Sequence, residues 1–288
     1  MKQGVRHRPS VRQFVQGTIA FDRTVNLTTF VRMTRALVRT VLNRTSHSHM
    51  NQDQNELLSE LQQPWTIAIL VPGFQLDGKS MLGMKRAINA RGIPALFPED
   101  LPYGQKAFFY RQHPDKLVNH IVQYAKSIRV RYPWCHLLLI WHSYGGAQVV
   151  HAAHQLIADE TSPGSKVIPV SVSGTLSPIG LAADALHALY YRTPSDIFAG
   201  RDPFITKTGE LLQSNAHGII FVDPHDQYLP ITIQTGGAQD YESNPNVIVS
   251  DRWTSPGHYH QWSDEGFSEY IINQALKKAA TILESTPQ

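Results

Sequence analysis

The sequence predicts an α/β fold whose central sheet is mostly parallel and is covered by helices on both faces. Six continuously apolar runs have the length of strands, and most are separated by segments whose apolar residues recur at helical spacing. Strands that are apolar on both faces are typical of a parallel sheet packed between two layers of helices. With 288 residues, the chain is long enough to form a full hydrophobic core.

The predicted strands share continuous apolar sequence and end at polar or turn-forming residues. The clearest is HLLLIWH, which leads directly into Ser-Tyr-Gly-Gly, and GIIFVD ends at an aspartate. Because ligands of open parallel sheets bind beyond the carboxyl ends of the strands, we expect functional residues in the loops that follow the strands. The predicted strands comprise residues 65–71, 94–98, 136–142, 167–174, 218–223 and 246–251.

The predicted helices are bounded by residues that start or stop helices. Gly92 suits the end of the first helix, Pro114 suits the first turn of the second, and Pro133 stops the second. Ser263 is the expected N-cap of the last helix, and two acidic residues follow it. The predicted helices comprise residues 79–91, 114–131, 144–157 and 264–284.

Positive charge is concentrated at the start of the chain. Residues 1–50 contain nine lysines and arginines and one acid, whereas the whole chain has a formal net charge of +3. The remainder is therefore mildly acidic, and we expect no nucleic-acid partner. We predict a basic N-terminal extension over 1–50 and one α/β domain over 51–288. The amphipathic pattern of residues 27–42 favours peripheral membrane contact through residues 1–49; the alternative is an organellar targeting segment.

Cysteine usage and hydropathy bear on the compartment. The single cysteine, Cys135, cannot form an internal disulfide, and it precedes an apolar strand, so we expect a small core residue. The sequence contains no secretory signal and no apolar run of about 18 residues that would cross a membrane. These features suit a cytoplasmic protein that associates with a membrane through its basic extension.

The motif with the most functional information is WHSYGG, residues 141–146, between a predicted strand and a predicted helix. Such a turn raises the Ser143 hydroxyl above the sheet, at a helix N-terminus whose positive potential favours developing negative charge. The motif resembles the G-x-S-x-G nucleophile elbow of the α/β-hydrolase superfamily. Trp141 stands where the superfamily usually has a small residue, which indicates a local adjustment. The resemblance covers roughly residues 65–284 and implies an α/β-hydrolase fold with Ser143 as the nucleophile.

The resemblance also implies an acid and a base that activate the serine. In this superfamily the acid and then the histidine follow the serine along the chain. After two intervening residues, Asp226 is followed by an apolar residue and then a proline, and this pattern is similar to the superfamily's acid loop. Asp223 is the alternative acid. The Gly-His pair after the last predicted strand resembles the histidine loop and makes His258 the base, with His260 as the alternative.

Two backbone N–H donors are implied for an oxyanion hole. One is that of Tyr144, which follows the nucleophile, and the other is that of Phe74 in PGFQ, which resembles the superfamily's HGF-type loop. Residues 175–217 lie between two predicted strands, where the superfamily inserts a cap. Their apolar side chains favour a lid that shields a hydrophobic acyl pocket.

The segments LVPGF, DLPYG, WHSYGG and SGTLSPIGL are similar to the bacterial lipase and esterase branch of the superfamily. The resemblance implies a serine hydrolase that cleaves a small-molecule acyl ester or a lipid through an acyl-enzyme and needs no cofactor. The alternatives are a thioesterase or acyltransferase with the same triad, and a non-catalytic binding protein on the same fold. We expect no metal, because no carboxylate or cysteine at ligand spacing joins His151 and His154.

Overall fold

The computed structural model describes the strands and helices of the predicted domain, with gaps between them. The extension predicted over 1–50 and most of the cap predicted over 175–217 lie outside the described residues. The domain boundary and the membrane contact of residues 1–49 therefore stay predictions. The described residues are 66–71, 81–98, 114–143, 145–159, 166–174, 218–226, 247–250 and 264–284, with positions 176, 207, 208, 211, 234, 235, 244 and 261.

Six strands among the described residues form one sheet. They are β1 Thr66–Val71, β2 Ala95–Leu96, β3 His136–His142, β4 Val167–Val172, β5 Ile219–Val222 and β6 Val247–Val249. Their order is β2-β1-β3-β4-β5-β6, and every neighbouring pair is parallel. The register pairs Val71 with Trp141, and Trp141 with Ser171. The predicted parallel sheet is confirmed.

The helices between and after these strands also follow the prediction. They are α1 Leu82–Asn89, α2 Pro114–Arg131, α3 Gly145–Ala158 and α4 Glu265–Glu284. After α1 the chain turns at Gly92, whose φ of 71° is in the left-handed region and whose N–H donates to the Asn89 carbonyl at 2.9 Å. In the described part of the chain, no helix has both the length and the apolar character needed to cross a membrane.

The start of α4 corrects one prediction. The helix begins at Glu265, one residue later than expected, so its N-cap is Asp264 and not Ser263. The Asp264 Oδ1 accepts a hydrogen bond from the Phe267 N–H at 2.7 Å, which satisfies one of the donors that the first helical turn leaves open. An aspartate in this position also interacts favourably with the positive end of the helix dipole.

Helices cover both faces of the sheet, as predicted. Because side chains alternate along a strand, Ile67 and Ile69 of β1 face one layer, and Ala68 and Leu70 face the other. The first layer is formed by α2 and α3, and the second by α1 and α4. These β1 residues are fully buried, which explains why the strand has no polar residue after Thr66.

Cys135 is part of the core, as its sequence context predicts. It is buried in the first layer, just before β3. Burial raises the pKa of the thiol to about 11, and the positive charge of Arg129 opposes this increase only in part. Because the thiolate is the reactive form of cysteine, a thiol with this pKa is protonated near neutral pH and unsuited to nucleophilic catalysis.

The parallel sheet brings the carboxyl ends of all its strands to one edge. Ser143 follows β3, Ser173 follows β4, Asp223 follows β5 and Ser250 follows β6. Neighbouring strands of a sheet are about 4.8 Å apart, so groups that follow β3 and β5 start roughly 10 Å from each other. This carboxyl edge is therefore where a site assembled from several loops would form.

Candidate active site

Ser143 lies in the turn between the end of β3 and the start of α3. Its backbone is strained: φ is 51°, in the left-handed region that residues other than glycine rarely adopt. The Ser143 carbonyl accepts a hydrogen bond from the Gly146 N–H at 3.0 Å, so the turn passes directly into the helix. The predicted strand, turn and helix around Ser143 are confirmed, and the catalytic role of Ser143 stays a prediction.

The carboxyl edge holds both of the strained serines in the described part of the chain. Ser173, just after β4, has a φ of 44° and is fully buried, whereas Ser143 is partly exposed. A left-handed backbone conformation costs a non-glycine residue about 1–3 kcal/mol and occurs preferentially at functional sites. Strain on two neighbouring strand ends therefore marks this edge of the sheet as the candidate site.

Trp141 fits beside the serine turn because two glycines leave room for its ring. The Trp141 side chain is fully buried. A Cβ added to Gly146, in the first turn of α3, would lie 2.1 Å from the Trp141 Nε1, and one added to Gly174, after β4, would lie 2.8 Å from it. The indole nitrogen has no hydrogen-bond partner among the described residues. The space left by the missing side chains of Gly146 and Gly174 therefore accommodates the tryptophan where a small residue was expected.

Because of this packing, we expect Gly146→Ala to destabilise the protein, which is the opposite of the usual effect of replacing a helical glycine by alanine. Alanine in place of a helical glycine ordinarily stabilises by about 0.5–1 kcal/mol. Here the added methyl group would collide with the Trp141 ring, and overpacking of this kind costs about 1–3 kcal/mol. We therefore expect Gly146→Ala to lower the free energy of unfolding, measured by urea denaturation.

Gly266→Ala is the matched control, because the nearest atom to its added Cβ, the Asp264 Oδ1, is 3.6 Å away. We expect that variant to be as stable as the wild type or more stable. In a Trp141→Ala background the ring is gone, and Gly146→Ala should then no longer destabilise. If Gly146→Ala and Gly266→Ala stabilised the wild-type protein equally, the described contact between Gly146 and the Trp141 ring would be contradicted.

The two candidate acids, Asp223 and Asp226, are in different environments. Asp223 is buried, and both of its carboxylate oxygens accept hydrogen bonds: Oδ1 from the His225 N–H at 2.9 Å and Oδ2 from the Gln261 Nε2 at 2.8 Å. Asp226 is partly exposed, and its N–H donates to the Asp223 carbonyl at 3.2 Å. Both aspartates thus lie in one turn at the carboxyl edge, and the assignment of the acid stays a prediction.

Two buried glutamines that sequence reasoning missed surround Asp223. Gln234 bonds both backbone groups of Asp223: its Oε1 accepts from the Asp223 N–H and its Nε2 donates to the Asp223 carbonyl, each at 2.9 Å. The Gln261 side chain bonds the Asp223 carboxylate, and the Gln261 backbone carbonyl accepts a hydrogen bond from the Ser268 Oγ at 3.2 Å. No local pattern identifies these partners, because they lie 11 and 38 residues from Asp223 in sequence.

The predicted base and oxyanion-hole residues lie outside the described residues. They are His258, its alternative His260, Phe74 and Tyr144. Their described neighbours in sequence lie at the carboxyl edge: Val71 ends β1 beside β3, and Ser250 and Gln261 both bond residues at the end of β5. The chain enters and leaves these segments at the edge that holds Ser143, and their catalytic roles stay predictions.

The structure brings no metal ligands together in the part of the chain that it describes. No three side chains of His, Cys, Asp or Glu are grouped there so that they could hold an ion. His151 and His154 lie on α3, the first partly exposed and the second exposed.

The comparison with the solved structures of Est1E identifies the fold. Est1E from Butyrivibrio proteoclasticus is 13% identical, with alignment over 76% of this chain and 90% of that chain and a TM-score of 0.53. The structure of the same protein with ferulic acid bound is also 13% identical, with alignment over 75% of this chain and 90% of that chain and a TM-score of 0.54. The alpha/beta hydrolase MGS-MChE2, from the metagenome of lagoon sediments at Mar Chica, Morocco, is 14% identical over 76% of this chain and 93% of that chain, with a TM-score of 0.48.

This chain has the α/β-hydrolase fold. The expectation from the WHSYGG motif is thereby confirmed at the level of the fold. No protein-family model and no curated protein matches the sequence. In this α/β-hydrolase fold, residues 175–217 lie between β4 and β5, which is where the sequence predicts the cap, and Trp141 is the second-to-last residue of β3, two residues before Ser143.

Proposed function

We propose that this protein is a serine hydrolase that cleaves carboxylic esters, with Ser143 as the nucleophile. One observation carries the proposal: Ser143 is held at a φ of 51° between a buried parallel strand and the N-terminus of α3. A turn of this kind in an α/β-hydrolase fold exposes a hydroxyl at the top of the sheet. The helix N-terminus stabilises negative charge that develops beside it.

The proposed reaction proceeds through an acyl-enzyme. The Ser143 Oγ attacks the acyl carbonyl carbon while the base takes its proton, and the backbone N–H groups of Phe74 and Tyr144 donate to the oxyanion. The tetrahedral intermediate collapses, and the base gives its proton to the departing alcohol. Water then attacks the acyl-enzyme in the same way, which releases the carboxylic acid and restores the serine.

We assign the base to His258 and the acid to Asp226. The hydrogen bonds of Asp223 support this choice, because both oxygens of its buried carboxylate already accept bonds from His225 and Gln261. Asp226 is three residues further along the same turn and is partly exposed, so it is accessible to an imidazole from another loop. A carboxylate in this role orients the imidazole and stabilises the imidazolium that forms.

The comparison with Est1E guides the choice of substrates. That protein was solved with ferulic acid bound, and a carboxylic acid is the acyl product that an esterase releases. We therefore include aromatic acyl esters, together with straight-chain esters of graded length, among the substrates to be tested. Thioesters of the same acids separate an esterase from a thioesterase, and acyl transfer to an added alcohol separates both from an acyltransferase.

Labelling with a fluorophosphonate tests the proposal directly, because an activated serine hydroxyl attacks the phosphorus of this reagent, displaces fluoride and becomes phosphonylated. We expect stoichiometric labelling, with the modified peptide containing Ser143, and turnover of at least one class of ester. Ser127→Ala is the matched control, since Ser127 is exposed on α2 and its loss should leave labelling unchanged. A folded protein with neither labelling nor turnover would contradict the proposal and favour a binding protein on this fold.

A further inference from the structure

We propose that Asp223 and Gln261 form a clamp that holds Gln261, three residues after His258, at the end of β5 and thereby restricts where His258 can lie. The inference rests on the proposed function, in which His258 is the base. In this proposal Asp223 contacts neither the substrate nor the imidazole. It is a positioning residue that acts through Gln261.

The Asp223–Gln261 contact is buried and has a fixed direction. Asp223 is 1% exposed and Gln261 is 0% exposed. Because a carboxylate accepts hydrogen bonds, the Gln261 amide must present its Nε2 to the Asp223 Oδ2, at 2.8 Å. The second carboxylate oxygen is held by the His225 N–H at 2.9 Å. The carboxylate therefore has one orientation, and that orientation sets the place of the Gln261 side chain.

The backbone of Asp223 is anchored as firmly as its side chain. Gln234, which is also fully buried, donates to the Asp223 carbonyl and accepts from its N–H. The same carbonyl accepts the N–H of Asp226 at 3.2 Å. One residue thus fixes the turn that contains the proposed acid and holds Gln261, which lies three residues after the proposed base.

The described residues on either side of 251–260, Ser250 and Gln261, both bond residues at the end of β5. On the N-terminal side, the Ser250 N–H donates to the Val222 carbonyl at 2.8 Å. On the C-terminal side, Gln261 bonds Asp223, the residue that follows Val222. Gln261 is also joined to the first turn of α4 through the Ser268 Oγ at 3.2 Å. His258 precedes Gln261 by three residues, so their Cα atoms lie within about 11 Å of each other even in extended chain. The clamp therefore limits where the base can be placed.

The test exchanges donor and acceptor across the contact. Gln261→Glu places a carboxylate against the Asp223 carboxylate, and we expect kcat for a soluble short ester to fall by about 10²-fold with KM unchanged, because the base is displaced while substrate binding is not. Adding Asp223→Asn restores a hydrogen bond with the two roles exchanged, and we expect it to recover most of the lost kcat. Gln155→Glu, the same change at an exposed position on α3, should leave kcat unaltered.

Amide hydrogen exchange supplies a readout that does not depend on catalysis. We expect faster exchange over 251–260 in Gln261→Glu and a return towards the wild-type rate in the double variant. If Gln261→Glu does not fold, Gln261→Met takes its place as the single variant, since it removes the donor without adding charge. The double variant must then still be folded and active.

Three results would overturn the clamp: an unchanged kcat in a folded Gln261 variant, no recovery when Asp223→Asn is added to Gln261→Glu, or a loss in Asp223→Asn alone as large as that of Ser143→Ala. Failure of the proposed function looks different, because the wild type itself would then show neither fluorophosphonate labelling nor turnover. In that case the clamp is tested by hydrogen exchange over 251–260 alone, and an exchange rate that is unchanged in Gln261→Glu contradicts it.

Discussion

Ester hydrolysis is expected to disappear in Ser143→Ala while the protein stays folded. Loss of the nucleophile from a serine protease triad lowers kcat by about 10⁶-fold. Alanine adopts a φ of 51° no more readily than serine does, so the free energy of unfolding should stay within about 0.5 kcal/mol of the wild type. The measurements are kcat/KM for a soluble ester and urea denaturation.

Ser143→Gly sharpens this result, because glycine adopts positive φ without strain. We expect it to lose activity as completely as Ser143→Ala and to be more stable than that variant by about 1 kcal/mol. A loss of activity together with a gain in stability separates removal of the nucleophile from damage to the fold. Hydrolysis near the wild-type rate in either variant would show that another residue is the nucleophile.

Asp226→Asn and His258→Ala are expected to reduce turnover far more than Asp223→Asn and His260→Ala. In a serine protease, loss of the histidine costs about as much as loss of the serine, and loss of the aspartate costs about 10⁴-fold. Asp223→Asn should have a much smaller effect, because asparagine still hydrogen-bonds Gln261 once the Gln261 amide turns over. The measurement is kcat for the four variants on one soluble ester, with melting temperatures to confirm folding.

The two pairs of variants also test the assignments separately. Should Asp223→Asn prove the costlier of the aspartate changes, the acid is Asp223, and Asp226 belongs to the turn that presents it. Should His260→Ala prove the costlier of the histidine changes, the base lies two residues further along than assigned. Either outcome leaves Ser143 as the nucleophile and changes only one member of the triad.

The sheet and its helices could be predicted because their signals are local. Strand β3 and helix α2 have the bounds that the sequence predicts, since each combines a continuous or periodic apolar pattern with a clear stop. The N-cap of α4 was misplaced by one residue, because Ser263 and Asp264 are both good caps and only the Phe267 contact distinguishes them. Local patterns thus determine which elements form, and their ends depend on individual hydrogen bonds.

The features of the site that sequence reasoning missed depend on contacts between distant residues. The place of Trp141 depends on Gly146 in the following helix and on Gly174 beyond the neighbouring strand. Likewise, the sequence favours Asp226 over Asp223 through its resemblance to the acid loop, and it gives no sign that Gln261, 38 residues away, bonds Asp223. Neither contact follows from hydrophobic periodicity, because each requires the order of the strands to be known.

The attachment of the segment 251–260 at both flanks bears on how this protein could acquire new specificities. Closing a loop between fixed ends costs only about 0.6 kcal/mol more for each doubling of its length, so insertions between Ser250 and His258 should be inexpensive and should leave the sheet register intact. If His258 is the base, as proposed, the two residues between His258 and Gln261 have no such freedom, because a change in their number would move the imidazole. Mutant libraries that vary loop length would therefore retain turnover when they alter residues 251–257 and lose it when they alter residues 259–260.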